Sequence, residues 1–532
     1  MSSKAWIKRC QDYTMVDPES GFTVNFAGMK FTQSKLDGMK DLFARANREM
    51  KRIEAGAIKN PDEKRQVTHF TDRKAYAESK LFKDVEKFAA DLRTGKIKGS
   101  TGKKFEYAVI NGIGGSALGP QLMQFAVNGP YWNELSDAQR NGGLRIYFLD
   151  NTDAAGVRDV LQTVNLAQTL VVNISKSGGT QETKNNMIAM EAAFTAAKLK
   201  WNAHAAAITM KGSELDKLAR GNQWLKIMEM AESIGGRTSE TSIVGHLPAA
   251  LAGIDFKNFL AGACHMDEWT RNKDYCVNPA YMLAAMWYIA GKGKGDRNMV
   301  IVPYSDRLIL LSRYFQQLVM ESLGKALDLD GKEVHQGLNV FGNKGGTDAH
   351  AFIQQLNDGR DDFFITFIEV LEDALPLPID GRIAMGDFLH GFEAGLSSAL
   401  RSKGRQTIEM TIERVNTYNL GMIIALYERA VAVYAEFINI NAFHQPGVQA
   451  YKLASKGMIA LLKDVEAELA EMKEFQGTAG GMAAILDRPD DEVAIGGILD
   501  KLALNSDRRQ LGFKLKRKWL KGQGWVYSLT RK

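Results

Sequence analysis

The stretch Thr169–Met187, TLVVNISKSGGTQETKNNM, decides how the chain is built. Its first residues, TLVVNIS, form a short apolar, β-branched run that predicts a strand. SKSGGT then breaks the run with hydroxyls and two glycines, and from Gln181 the composition turns helical. Strand, glycine loop and helix in that order form the unit of a parallel α/β sheet.

The neighbouring segments repeat the unit. Upstream, FEYAVINGIGG (residues 105–115) predicts a strand running into a glycine loop, and SALGPQLMQFAV predicts a helix. LRIYFLDNTD and AGVRDVLQTV give a second strand and helix, and HAAAITM follows the quoted segment as a fourth strand. Strands alternating with helices predict a parallel sheet covered on both faces. The alternation resumes at NMVIVPYSD (residues 298–306), followed by the helical RLILLSRYFQQLVMESLGKAL and AHAFIQQLNDG and the strand DDFFITFIEV. Two α/β units of similar size predict paired domains. Residues 1–104 read as a charged, mainly helical arm. A long apolar helix, NLGMIIALYERAVAVYAEFI, leads to a C-terminal segment with a loop at GTAGGMAAILDRPDDE.

At 532 residues the chain is too long for one ordinary core. Apolar content of 45% and charged content of 24% fit a soluble globular protein. Cys10, Cys264 and Cys276 are far apart, which fits neither a disulfide framework nor a zinc ribbon and suits a reducing compartment. The opening MSSKAWIKRCQDYTM holds no apolar run of leader type, and no run of about 18 apolar residues occurs, so a cytoplasmic protein without a membrane span is expected. The net charge of +6 is mild for this length. Nine Lys or Arg and no acid fall between Arg508 and Lys532, together with Trp519, Trp525 and Tyr527. An amphipathic closing helix and strand with a solvated basic face explains that tail, and nucleic-acid binding is not expected.

Ligands of parallel sheets bind beyond the carboxyl ends of strands, where loops meet helix N-termini and exposed N–H groups hold anions. Gly178 and Gly179 let the backbone turn and approach a ligand, and Ser175, Ser177 and Thr180 add hydroxyls. Thr180 is also placed to cap the helix. The composition and position are those of a phosphate cradle, and NGIGGSALGP (residues 111–120) supplies a second loop of the same kind. GIGGSA also matches the dinucleotide pattern G-x-G-x-x-A, but the nearest strand-end acid, Asp150, lies well beyond the usual 20 or so residues, and that reading leaves SKSGGT unexplained. Neither loop is a Walker A motif.

Further candidate groups lie elsewhere. Gln317 and Glu321, four residues apart, share a helix face and can present a carboxylate and an amide to a polar substrate. Arg237, in SIGGRTSETS, is a guanidinium in a glycine loop, suited to stabilising negative charge on oxygen. His350, in GGTDAHAF, can exchange protons near neutral pH, while Lys452 in HQPGVQAYKLASK reads equally as an exposed lysine. No HExxH or Cys/His cluster implies a metal.

These segments resemble the glucose-6-phosphate isomerase family. GIGGSALGP, SKSGGTQET, GGRTSETSIVG, QQLVMESLGK, GGTDAHAFIQQL and LGMIIALYE followed by PGVQAYK occur in the family's order across about residues 105–460. The resemblance implies two sugar-isomerase (SIS) domains, at 105–290 and 291–460, each a parallel sheet flanked by helices, with a helical arm before them and an extension at 461–532. It implies aldose–ketose isomerisation of a hexose phosphate through a cis-enediolate, with no cofactor and no metal. Glu321 resembles the base, Arg237 the enediolate stabiliser, and His350 and Lys452 the ring-opening residues. Gly115, Ser116, Ser175, Lys176, Ser177, Gly178, Gly179 and Thr180 resemble the phosphate contacts and Gln317 a substrate contact. A homodimer is implied, with His350 reaching the neighbouring subunit's site. The chain departs from the family pattern at Leu323, where Asn is usual, at Ala349, and at His444, Pro446 and Gln449. The alternatives are a non-catalytic SIS-type sugar-phosphate sensor, a dinucleotide-dependent oxidoreductase built on GIGGSA, and an isomerase that also accepts mannose 6-phosphate.

Overall fold

Two parallel sheets carry the architecture of the computed structural model, which describes residues 3–509 and 511–531, without the side chain of Gln449. The first sheet has five strands, all parallel, in the spatial order Arg145–Leu149, Tyr107–Asn111, Thr169–Ile174, Ala205–Thr209 and Lys226–Glu229. Every residue of Thr169–Ile174 is buried, as a central strand covered by helices on both faces requires. The chain leaves Tyr107–Asn111 toward one neighbour and, after its next strand, returns on the other side. The order of connection therefore reverses between Tyr107–Asn111 and Thr169–Ile174, which opens a crevice at their carboxyl ends. Asn111 and Asn173 pair in register there, and Asn111 Nδ2 donates to Asn173 Oδ1 at 2.8 Å.

The second sheet has six strands. Gln406–Ile412, Phe363–Val370, Asn298–Pro303 and Val340–Phe341 are parallel to one another. Thr23–Asn25 adds antiparallel to Gln406–Ile412, and Thr14–Val16 adds beyond it. The N-terminal arm thus contributes a hairpin to a sheet nearly 400 residues downstream; Val24 of that hairpin pairs with Met410 and is fully buried. Three-residue strands are too short to show a period, which is why the arm reads as mainly helical in sequence. The helix Thr417–Phe437 is buried nearly all round and stacks Tyr427 on Phe315, consistent with its unbroken apolar composition.

The chain divides into two compact units, Met1–His444 and Gln445–Lys532. The second begins with the helix Pro446–Glu471, which runs across residue 460, with Pro446 in its first turn. Its own core gathers Val465, Leu469, Met482, Leu499, Phe513 and Leu529. Part of the segment read as a loop, Ala479–Ile485, is helical. The basic tail is an antiparallel hairpin, Phe513–Leu520 with Gly524–Arg531, rather than a helix and a strand. Phe513, Leu515, Tyr527 and Leu529 alternate onto its buried face, while Lys516 and Lys518 point outward on the edge strand. No helix among the described residues is long and apolar enough to cross a membrane.

Candidate active site

The two glycine loops leave adjacent strands at the crevice. In the first, Gly114 turns with φ of +57°, and Gly115 is buried against the arginine loop: a Cβ on Gly115 would lie 1.7 Å from Gly236 O. Only glycine fits that contact. Ser239 Oγ donates to Gly236 O at 2.7 Å and reaches Gly115 O at 3.3 Å, tying the two loops together. Ser116 is half-buried in the same turn.

In the second loop Gly178 has φ of +77° and approaches Leu215 N so closely that a Cβ would lie 2.3 Å from it. Gly178 N–H donates to Ser175 Oγ at 3.1 Å and Gly179 N–H to Ser177 Oγ at 3.2 Å, so the loop is shaped by its own serines. Thr180 occupies the cap position of helix Gln181–Ala196 without a side-chain cap bond; it accepts instead from Ser175 Oγ at 3.3 Å. Lys176 is held by Glu63, Nζ to Oε2 2.7 Å, and the same oxygen accepts from Arg65 Nε at 2.7 Å. Burial pushes the Lys176 ammonium down, with the Glu63 bond acting against it. Burial works to raise the Glu63 carboxyl, but Lys176 and Arg65 outweigh it and hold the group below its ordinary value. Arg65 is buried and also donates to Ser233 O at 3.2 Å, beside the arginine loop.

Glu321 closes a π-helix, Gln316–Glu321, that continues the short α-helix Leu311–Phe315. Sequence spacing predicts an α-helical face; the wider turn of the π-helix carries the same pair instead, and such turns concentrate at functional sites. Gln317 Nε2 donates to Glu321 Oε2 at 3.1 Å and lies over Gly114, 2.9 Å from where a Cβ would stand. Gln317 Oε1 is buried without a hydrogen-bond partner among the described residues. The Arg237 guanidinium stands 3.5 Å from Glu321 Oε1 and donates to Ala442 O at 2.6 Å and His444 O at 3.3 Å. Arg237 is 7% exposed, and burial pushes its guanidinium below the ordinary arginine value, with Glu321 opposing the shift. A buried, rigidly held cation beside a carboxylate is arranged to stabilise negative charge that develops between them.

The structure therefore brings Gly115, Ser116, Arg237, Gln317 and Glu321 together, and places the SKSGGT loop on the adjacent strand. His350 is exposed and lines a groove of about 650 Å³ with Tyr304, Ala349 and Phe392. Among the described residues it makes no hydrogen bond or ion pair with Arg237, Gln317 or Glu321. Lys452 is exposed on the Pro446–Glu471 helix of the second unit. Leu323 is fully buried, a packing position of the core. Glu63, Arg65 and Lys325 are neighbours that the sequence reading missed. Lys325 ends the quoted QQLVMESLGK, but only its burial sets it apart from other lysines; Glu63 and Arg65 lie in the charged arm, where no motif marks them.

The sequence model of the family described as Phosphoglucose isomerase matches residues 45–396. The glucose-6-phosphate isomerase of Geobacter sulfurreducens is 44% identical over 516 residues, covering 94% of this chain and 95% of that protein. That of Synechococcus sp. (strain JA-3-3Ab) is 45% identical over 492 residues, covering 90% of each. Among solved structures, a glucose-6-phosphate isomerase from Chlamydia trachomatis superposes with a TM-score of 0.77 at 27% identity, over 87% of this chain and 92% of that one. A hypothetical protein from Thermus thermophilus shares the fold with a TM-score of 0.70 at 24% identity, over 82% of this chain and 100% of that one. With a family match over most of its length and relatives of this identity and coverage, the chain belongs to the phosphoglucose isomerase family.

Proposed function

We propose that the protein interconverts glucose 6-phosphate and fructose 6-phosphate, with Glu321 as the proton-transferring base and Arg237 as the stabiliser of the enediolate. The observation that carries this reading is the cluster of Arg237, Gln317 and Glu321 beside the turn Gly114–Ser116, at the reversal point of a parallel sheet. The substrate phosphate binds at the second loop, Ser175–Thr180, so that binding energy remote from the reacting carbons fixes C1 and C2 against Glu321. Glu321 takes the proton from C2 of the open aldose as the electron pair forms the C1–C2 double bond and charge moves onto O1. Arg237 stabilises that charge. A proton passes from O2 to O1 within the enediolate, and the same carboxylate then returns its proton to C1 as the electron pair on O2 forms the ketone at C2. The orphaned Gln317 Oε1 is an acceptor that a sugar hydroxyl satisfies.

Ring opening moves a proton from the anomeric hydroxyl to the ring oxygen and is assigned to His350 with Lys452. His350 acts across the interface of a homodimer. The exposure of Phe392 on the wall of its groove supports this, a large apolar side chain left open to solvent beside His350. In the paired-domain reading of residues 105–290 and 291–460, each domain holds one parallel sheet, and the second closes best at His444, where the compact unit ends.

The test is Glu321→Gln assayed with fructose 6-phosphate and product identification. Turnover is expected to fall on the order of 10²–10⁴-fold for a lost general base, with binding of the phosphate sugar retained. A variant that turns over at the wild-type rate overturns the assignment.

A further inference from the structure

The helix that carries Glu321 runs on through Ser322 and Leu323, and Gly324 N–H donates to Met320 O at 2.9 Å; the chain then enters the strand Lys325–Leu327, so no further turn supplies donors for the carbonyls of Glu321 and Ser322. Helix C-termini leave such carbonyls unpaired unless a side chain or a further turn bonds them. Here a single side chain does so. Lys325 Nζ donates to Glu321 O at 2.9 Å and to Ser322 O at 2.6 Å. The residue is 4% exposed, so its ammonium is removed from water and these carbonyls are its anchor. Burying a lysine is costly, and a solvated position would suffice for a surface cap.

We propose that Lys325 is a positioning residue of the isomerase reaction: it locks the last turn of the π-helix, and with it the direction of the Glu321 carboxylate. The charged groups facing it are Glu321 from the preceding helix, Arg237 from the arginine loop and His444 from the segment that accepts the Arg237 guanidinium. Burial, reinforced by Arg237 and opposed by Glu321, pushes the lysine down to about 7. Such a group is tolerated where its charge or its donors are used. Misdirecting a carboxylate by a fraction of an ångström slows a proton transfer without altering how a remote phosphate is gripped.

The inference rests on Glu321 being the base, and the experiment separates the two claims. Lys325→Met, Lys325→Arg, Glu321→Gln and the Lys325→Met/Glu321→Gln double variant are compared for kcat, KM and thermal midpoint. Lys325→Met is expected to lower kcat about 10–100-fold, the usual cost of removing a group that orients a reacting one, with KM within about twofold, and Lys325→Arg to recover much of the loss. In the Glu321→Gln background, Lys325→Met is expected to add no further loss, since residues acting as a unit are not additive. Wild-type kcat in a folded Lys325→Met overturns the proposal, as does a full, additive loss in the double variant. If Lys325→Met fails to fold, Lys325→Gln takes its place: reduced kcat at wild-type KM supports positioning, and wild-type kcat overturns it. Activity retained in Glu321→Gln alone sinks the base assignment, whatever Lys325 does.

Discussion

Arg237 shows what a single residue gains from its surroundings. Its planar guanidinium satisfies two backbone carbonyls, Ala442 O and His444 O, and still faces Glu321. A lysine has one nitrogen and cannot hold that fork. Arg237→Lys is therefore expected to lower kcat by about 10²–10³-fold, the scale of a lost electrostatic stabiliser, with KM for fructose 6-phosphate changed much less; steady-state kinetics check it. The sequence placed this arginine, Gln317 and Glu321 as candidates by residue type and spacing. It could not place Lys325 as more than one lysine among many, because only burial distinguishes it.

At the scale of elements, the glycine loops were legible because each follows an apolar strand and precedes a helix, and their glycines meet real steric demands at Gly115 and Gly178. The π-helix was not, since a one-residue insertion in hydrogen-bond spacing leaves no mark on composition. The clamp of Glu63 on Lys176 was equally invisible, because a hairpin some 110 residues upstream supplies it. A pH effect belongs to this scale too. The helix Met385–Ser402 brings Glu393 beside Glu409 of the strand Gln406–Ile412, and burial, with Glu409 and Glu369 adding repulsion, raises the Glu393 carboxyl to about 7. The folded state keeps a proton that the unfolded chain releases near 4.5, so this group makes stability fall as pH rises from about 4.5 to 7, and the loss is complete above that. Glu393→Gln is expected to raise the urea midpoint at pH 8 and to leave it nearly unchanged at pH 4.5. A lower midpoint at pH 8 contradicts this account.

For the whole molecule, the exposed Phe392 beside His350 makes the oligomeric state the property to measure. Phe392 is 60% exposed on the groove wall. Placing a carboxylate in a desolvated interface costs several kcal/mol, of order the energy of a buried unpaired charge. Phe392→Asp is expected to sediment as a monomer and to lose most activity in parallel. A wild-type protein that is monomeric and fully active removes His350 from the neighbouring site.

By itself the sequence determined the parallel α/β class, the two glycine loops between strand and helix and the residue types of the candidate site. Strand burial, backbone turning and acid–base character are local properties written in neighbouring residues. Tertiary structure alone decided that the N-terminal hairpin completes the second sheet, that a buried lysine closes the turn beneath Glu321 and that Glu63 holds Lys176. Each of these depends on desolvation or pairing between segments remote in the chain, and the free energy of such contacts is set by what the fold brings together.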